Sequence, residues 1–269
     1  SLFDVDLPVL AAARDRFRAL GAEVAVSDPE VIDIAGDKWR MFEFLTAHGM
    51  PTPMTWLDPE AALAAVAAGT AAFPLFVKPR WGMGSMGVHK AADAAGLRAA
   101  VAAARDEVVR SYLDLMAPGR LSEAVLIQEF VAGAEYGADV FNDLEGKHLA
   151  TAVKRKISQR PEGADFAVSV ADAELEALCA RLSVLLRHRG NLDLDLIRPE
   201  GGPAQVLELN ARFGGGYPFS HLAGARFPRA LVQLVRGETP DPGQVTPGVH
   251  AMLDILPRVF NPEGTSCPA

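Results

Sequence analysis

Apolar positions along this chain switch between helical and strand spacing, and the switches divide it into elements. From Leu7 to Leu20, Leu10, Ala13, Phe17 and Leu20 fall on one helical face, and Gly21 ends the run. Ala22 to Val26 reads as a short strand. One helix and one strand cannot form a sheet, so residues 1–36 are expected to be the end of an α/β layer whose earlier strands are absent from this chain or disordered. Asp37 caps a second helix that continues through His48; Gly49 stops it and Pro51-Thr52-Pro53 forces extended chain behind it. A third, alanine-rich helix opens at Asp58-Pro59 and ends at Gly69. Phe73 to Lys78 is a buried strand closed by Pro79. Val88-His89-Lys90 continues as strand after a glycine-rich hexapeptide, and helix resumes near Asp93.

The second half is richer in strands. Ala124 to Phe130 is strongly apolar, and Val131-Ala132-Gly133 bends it into a second strand from Glu135 to Asn142. After the turn Asp143 to Gly146, a further strand delivers Lys154, Arg155 and Lys156 into a polar loop expected over Ser158 to Ala164. Asp172 caps the clearest amphipathic helix, whose stripe is Leu175, Leu178, Cys179, Leu182, Leu185 and Leu186, so Cys179 belongs to the core. Strands Asn191 to Ile197 and Ala204 to Asn210 flank Pro199-Glu200-Gly201-Gly202, a hairpin signal. Phe227-Pro228 opens a last helix to Arg236, and an apolar segment follows from Ala251 to Leu256.

Composition narrows the functional classes. With 269 residues, 49% of them hydrophobic, the chain has enough apolar surface for a sizeable core. A formal charge of -8, with no basic run longer than Lys154-Arg155-Lys156, argues against a nucleic-acid or anionic-membrane surface but leaves a small anion open. Cys179 and Cys267 stand far apart outside any paired spacing, which points to a reducing, cytoplasmic setting. No apolar run approaches the roughly 20 residues of a membrane span, and no signal segment opens the chain.

The candidate chemistry collects at strand ends. Gly82-Met83-Gly84-Ser85-Met86-Gly87 matches the glycine pattern of a dinucleotide site, but that site needs a helix directly after it. Strand, glycine loop, strand is the shape of a flap over phosphates, where backbone N–H groups approach without side chains in the way; a hairpin without ligand stays open as the alternative. Lys78 would supply charge just before the loop. Lys38 opposes the positive end of its helix dipole, a poor place for a lysine unless an anion sits there or water solvates it. Gln128, Glu129 and Glu135, with the backbone of Val131, could bind an adenine amine and ribose hydroxyls, or decorate an edge. On the hairpin, alternation gives Asp193 and Asp195 one face, and Glu208 and Asn210 one face. Pairing symmetric about the turn places Asp193 near Glu208 and Asp195 opposite Val206, which makes Asp193 the better metal candidate. Two carboxylates and an amide oxygen suit Mg²⁺ or Mn²⁺, and acids inside a leucine-rich hairpin would be costly without a cation or a basic partner.

In this order the residues resemble the ATP-grasp superfamily, and more narrowly the carbamoyl-phosphate-synthetase-like carboxylate-amine ligases, over residues 37–257. Its most specific parts are Val77-Lys78-Pro79 with the glycine hexapeptide, and Glu208-Leu-Asn-Ala-Arg212-Phe-Gly-Gly-Gly216, where the family usually reads Asn-Pro-Arg. The resemblance implies an α+β fold gripping ATP between a small lid, about 51–131, and a larger subdomain, about 132–257. Residues 1–36 would end a preceding α/β domain, and 258–269 would form a tail. It implies phosphate binding by Lys38, Lys78 and the flap residues Gly82, Gly84, Ser85, Met86 and Gly87. Adenine would meet Gln128, Glu129 and Val131, the ribose would meet Glu135, and Mg²⁺ would be held by Asp193, Glu208 and Asn210. Lys154 and Arg212 match positions at the γ-phosphate or the activated carboxylate. The implied activity is ATP-dependent ligation of a small-molecule carboxylate to an amine, on amino-acid-like substrates, through an acyl phosphate. A small-molecule kinase and a non-catalytic ATP-binding module are the alternatives, and a homo-oligomer stays open.

Overall fold

A computed structural model describes residues 3–82, 86–111, 113, 120–160 and 163–254. Three helices come first: α1 Leu7–Ala19, α2 Pro29–Gly36 and α3 Lys38–Ala47. The expected strand at residues 22–26 is irregular chain, and among the described residues no strand offers its backbone a ladder. α3 begins as expected: the Asp37 side chain accepts from the N–H groups of Trp39 and Arg40.

A four-stranded antiparallel sheet follows, built from β1 Thr55–Trp56, β2 Leu75–Pro79, β3 His89–Ala91 and β4 Val125–Glu129 in the order β1-β4-β2-β3. Helices α4 Pro59–Ala67 and α5 Ala94–Arg110 supply its core. Leu75 and Val77 bury against Leu97 and Ala104, so alternation turns Phe76 and Lys78 to the opposite face. That face looks onto the second sheet.

The second sheet has six antiparallel strands. β5 Gly133–Asn142, β6 His148–Arg160, β7 Gly163–Val170, β8 Gly190–Pro199, β9 Gln205–Asn210 and β10 His250–Met252 run in the order β10-β7-β6-β5-β8-β9. β6 and β7 extend through most of the loop expected at Ser158 to Ala164, pairing Gln159 with Ala164. On one face, Ala138, Val140, Leu192, Leu194 and Leu196 pack under α3 and α6 Ala173–Leu186 with Met41, Leu45, Leu175 and Leu182. Cys179 lies in this layer, and burial pushes its thiol up to about 12. The register puts Gly137, Asp139, Lys154, Lys156, Asp193, Asp195, Glu208 and Asn210 on the other face. At one end of that face Phe141 packs on α7 Tyr217–Leu222 and α8 Phe227–Val235; at the other lies the candidate site. Among the described residues, no helix is long and apolar enough to cross a membrane.

His188, just after α6, is fully buried. Its Nε2 lies 3.0 Å from the Val140 carbonyl and its Nδ1 3.4 Å from the Asn142 amide nitrogen, which also donates to the His188 carbonyl. The ring is therefore neutral, donating from Nε2, and a proton on Nδ1 would face another donor. Burial lowers its pKa to about 4. Because the unfolded ring binds a proton near 6.5, the stability this neutral histidine contributes is present above that pH and is lost as pH falls toward 4. Relative to His188→Gln, the protein is expected to lose on the order of 2 kcal/mol between pH 7 and pH 5 in urea unfolding. Taking the difference removes groups common to both proteins, including Asp193, whose raised pKa works in the opposite direction. An unchanged difference would refute the assignment.

Candidate active site

Between the two sheets lies a cavity of about 260 Å³. Its apolar end is made by Phe76 and Phe130, edge to face at 5.5 Å, with Ile197 and Leu207 from the larger sheet. Glu129, Val131 and Glu135 line the same end. An apolar slot ringed by a strand end is suited to a planar base with polar groups at its edge. The aromatic and aliphatic walls were not singled out in the sequence, where they read only as strand core. Gln128 is there too, but its amide is engaged on both sides: Oε1 accepts from Lys78 Nζ at 2.8 Å, and Nε2 donates to Thr55 Oγ1 at 3.0 Å. It orients Lys78 rather than offering its side chain to a base.

The opposite end is charged. Lys38 Nζ lies 3.0 Å from Glu208 Oε1 and donates to the Gly82 carbonyl at 2.6 Å. Burial, with Lys38 as a like-charged neighbour, lowers the Lys78 pKa to about 8. Burial would raise the Glu208 carboxyl, but Lys38 and Lys78 outweigh it and hold it below its ordinary value. A buried ammonium beside a second lysine that disfavours its charge is an anion site in waiting. Gly82 enters the loop at φ +115°, a conformation that favours glycine, and Met86 and Gly87 (φ +68°) close it. Gly84 and Ser85 lie outside the described residues.

The hairpin register differs from the symmetric expectation. Asp195 faces Glu208 and Asp193 faces Asn210, two residues from that expectation: Leu196 pairs with Val206, which already offsets the ladder by one residue, and an irregularity between Asp195 and Leu196 adds the second. Asp195 and Glu208 both line the cavity, so the ground for preferring Asp193 over Asp195 is removed. Lys156 Nζ sits 2.6 Å from Asp195 Oδ1. Asp193 is pushed up to about 7 by burial, with Asp195 and Asp139 adding repulsion. A side chain at Gly214 would overlap its carboxylate, which explains the glycine there. Among the described residues, no group of three or more His, Cys, Asp or Glu is arranged to hold a metal; the oxygen donors here are two facing carboxylates with Asp193 and Asn210 one step along.

The two remaining candidates are already paired. Lys154 is not brought to the cavity: its ammonium is buried 2.6 Å from Asp139 Oδ2 and 3.2 Å from Ser220 Oγ. Gly137, beside it on β5, lets the lysine stem fold back toward that carboxylate. Arg212 grips Asp4 through two bonds, Nε to Oδ1 at 2.9 Å and Nη2 to Oδ2 at 2.8 Å, and lies 3.6 Å from Asp193. The side chain thus already holds a carboxylate in bidentate fashion. A second cavity of about 450 Å³ adjoins it, walled by Leu7, Leu10, Val24 and Phe213 and by Asn191, whose buried Oδ1 has no partner.

Residues 71–216 match the family model of the ATP-grasp domain. The chain is 27% identical over 193 residues to a D-alanine--D-alanine ligase of Ectopseudomonas mendocina, covering 66% of this chain and 55% of that ligase. It is 26% identical over 275 aligned positions to a phosphoribosylamine--glycine ligase of Xanthomonas axonopodis pv. citri, covering 94% of this chain and 60% of that one. It thus spans between half and two thirds of the length of these relatives. Among solved structures, the biotin carboxylase domain of Hydrogenobacter thermophilus 2-oxoglutarate carboxylase, crystallised with MgADP, ADP and bicarbonate, superposes with a TM-score of 0.71 at 19% identity, over 87% of this chain and 52% of that one. That likeness is one of fold.

Proposed function

Because this chain belongs to the ATP-grasp family, we propose that it activates a small carboxylate with Mg-ATP as an acyl phosphate and joins it to an amine, releasing ADP and phosphate. The observation that carries the reading is the convergence of Lys38, Lys78, Asp195 and Glu208 at one end of a cavity whose other end is an apolar slot. The four-stranded unit, about residues 51–131, acts as the lid, and residues 132–257 as the body. Both relatives are named as ligases, which supports the same reaction class here.

In this mechanism the adenine lies between Phe76, Phe130 and Ile197, with Glu129 and the Val131 backbone at its edge and Glu135 at the ribose. Lys38 and Lys78 exchange their present partners, Glu208 and Gln128, for phosphate oxygens and offset charge building on the transferred group. The all-oxygen donor set suits Mg²⁺ or Mn²⁺, and ammonium groups already sit against both cavity carboxylates where a cation would balance them. Glu208 and Asn210, with Asp195 from the cavity wall or Asp193 beside it, would hold the ion, which supplies further charge neutralisation at the phosphates. Arg212 orients the carboxylate, for which Asp4 is an intramolecular stand-in. The amine approaches from the second cavity, where Asn191 Oδ1 lacks a donor. The reaction suits amino-acid-like substrates, because Arg212 and Asn191 recognise a carboxylate and an N–H group beside an apolar wall.

Incubation with ATP, Mg²⁺ and a panel of amino acids and simple acids and amines is expected to yield ADP and phosphate only when both acceptor classes are present. Release of AMP would overturn the acyl-phosphate route. A stable phosphorylated product without an amine would mean phosphoryl transfer to a hydroxyl.

A further inference from the structure

We infer that Arg80, which does not line the nucleotide cavity, is the positioning residue of its phosphate end, clamping Lys38 and the entrance of the glycine loop together. The inference rests on the nucleotide reading above and deepens it. Arg80 and Asp37 are 4% and 3% exposed. Arg80 Nε donates to Asp37 Oδ1 at 2.8 Å and lies 3.0 Å from Oδ2, while Nη1 donates to Glu123 Oε2 at 3.0 Å. The indole of Trp81 lies against the Arg80 guanidinium at 4.8 Å, with Arg120 at the same distance from the ring.

Capping α3 does not require this ion pair. Asp37 Oδ1 already accepts from Trp39 and Arg40, a task an asparagine performs as well. Burying a guanidinium against that cap carries a desolvation cost and adds something a cap does not need: a fixed connection between two layers. α3 packs on the six-stranded sheet through Met41 and Leu45, whereas Arg80 directly follows β2 of the lid. Two further bonds close the same seam. The Lys38 N–H donates to the Arg80 carbonyl at 3.1 Å, and Lys38 Nζ donates to the Gly82 carbonyl at 2.6 Å. Arg80 also balances the Asp37 charge, so that the neighbouring Lys38 is not drawn back to its own cap and keeps its ammonium on the cavity side, beside Glu208. Without this clamp, Lys38 and Gly82 would lose their mutual register.

The test separates phosphate recognition from general integrity. Mg-ATP, ADP and adenosine are titrated calorimetrically into the parent, Arg80→Gln, Arg80→Lys and Asp37→Asn proteins, and urea unfolding is recorded for each. Arg80→Gln and Asp37→Asn are expected to weaken Mg-ATP and ADP by about tenfold or more while adenosine changes by less than about threefold, because the clamp acts on phosphate-binding groups alone. Arg80→Lys should recover part of the loss, since it restores the charge without the fork. Asp37→Asn keeps the cap and decides the matter if Arg80→Gln does not fold. Equal weakening of Mg-ATP and adenosine would make the pair a structural buttress and overturn the inference, as would parent-like Mg-ATP binding in both variants. A parent protein that binds no Mg-ATP would overturn the nucleotide reading itself, and this inference with it.

Discussion

Glu208→Gln is expected to lower the rate of ADP release with Mg-ATP by about a hundredfold, corresponding to about 3 kcal/mol of lost electrostatic stabilisation. The side chain keeps its size and its hydrogen-bonding oxygen, so the fold should persist. What it loses is charge at the point where Lys38, Lys78 and Asp195 meet. Without a phosphate, that charge holds Lys38 at 3.0 Å; with Mg-ATP bound, it is the anion that a divalent cation requires. Asp195→Asn should reproduce much of the effect, because Asp195 faces Glu208 across the hairpin and lines the same cavity. Asp193→Asn, one step further along beside Arg212, should raise the Mg²⁺ requirement less. A coupled assay of ADP formation across a Mg²⁺ titration reads all three. Parent-like turnover in Glu208→Gln would remove this hairpin from the site, and a larger effect at Asp193 than at Asp195 would return the metal to the position the symmetric register favoured.

The largest effect on stability is expected at Lys154 and Asp139. Both are almost completely removed from solvent, and their charges meet at 2.6 Å. Ser220 Oγ donates to the same carboxylate at 2.5 Å, and Asn191 Nδ2 donates to its other oxygen at 3.1 Å. Asp139→Ala should therefore destabilise the protein by about 3–5 kcal/mol, because an ammonium is left buried without a counter-charge. Lys154→Met should cost less, since Ser220 and Asn191 still donate to the carboxylate. The double variant Asp139→Ala/Lys154→Met should regain a substantial part of the loss, because neither charge remains to be desolvated. Urea unfolding of the set supplies the cycle. Additive losses in the double variant would show that the two side chains are not energetically a pair. ADP release in the same set also tests the role that family resemblance implies for Lys154: recovery of turnover with stability assigns the lysine to the framework, whereas a rate that stays low in a stable double variant assigns it to the chemistry.

The sequence alone was sufficient for the elements whose causes are local. Asp37, Asp58 and Asp172 cap helices as their positions predict, since a short acidic side chain reaches its own N–H groups regardless of what packs nearby. The period-2 pattern of Leu192, Leu194 and Leu196 against Asp193 and Asp195 already told which residues share a face. Family membership followed from such local words, and the chain does belong to the ATP-grasp family. What the sequence could not fix was register and partnership. The ladder is offset by one residue where Leu196 meets Val206, and an irregularity beside it adds another; together they place Asp195 rather than Asp193 opposite Glu208, and nothing in the hairpin's composition announces either. Lys154 and Lys156 share a face by alternation, yet only the neighbouring strands decide that one is neutralised by Asp139 and the other reaches Asp195 at the cavity. The same holds for Arg212, whose carboxylate comes from Asp4, 208 positions away in the chain, and for Arg80, whose partner is 43 positions away. Local backbone preferences are written in a few consecutive residues, whereas the pairing of charges depends on how separate layers come together, and only the tertiary structure specifies that.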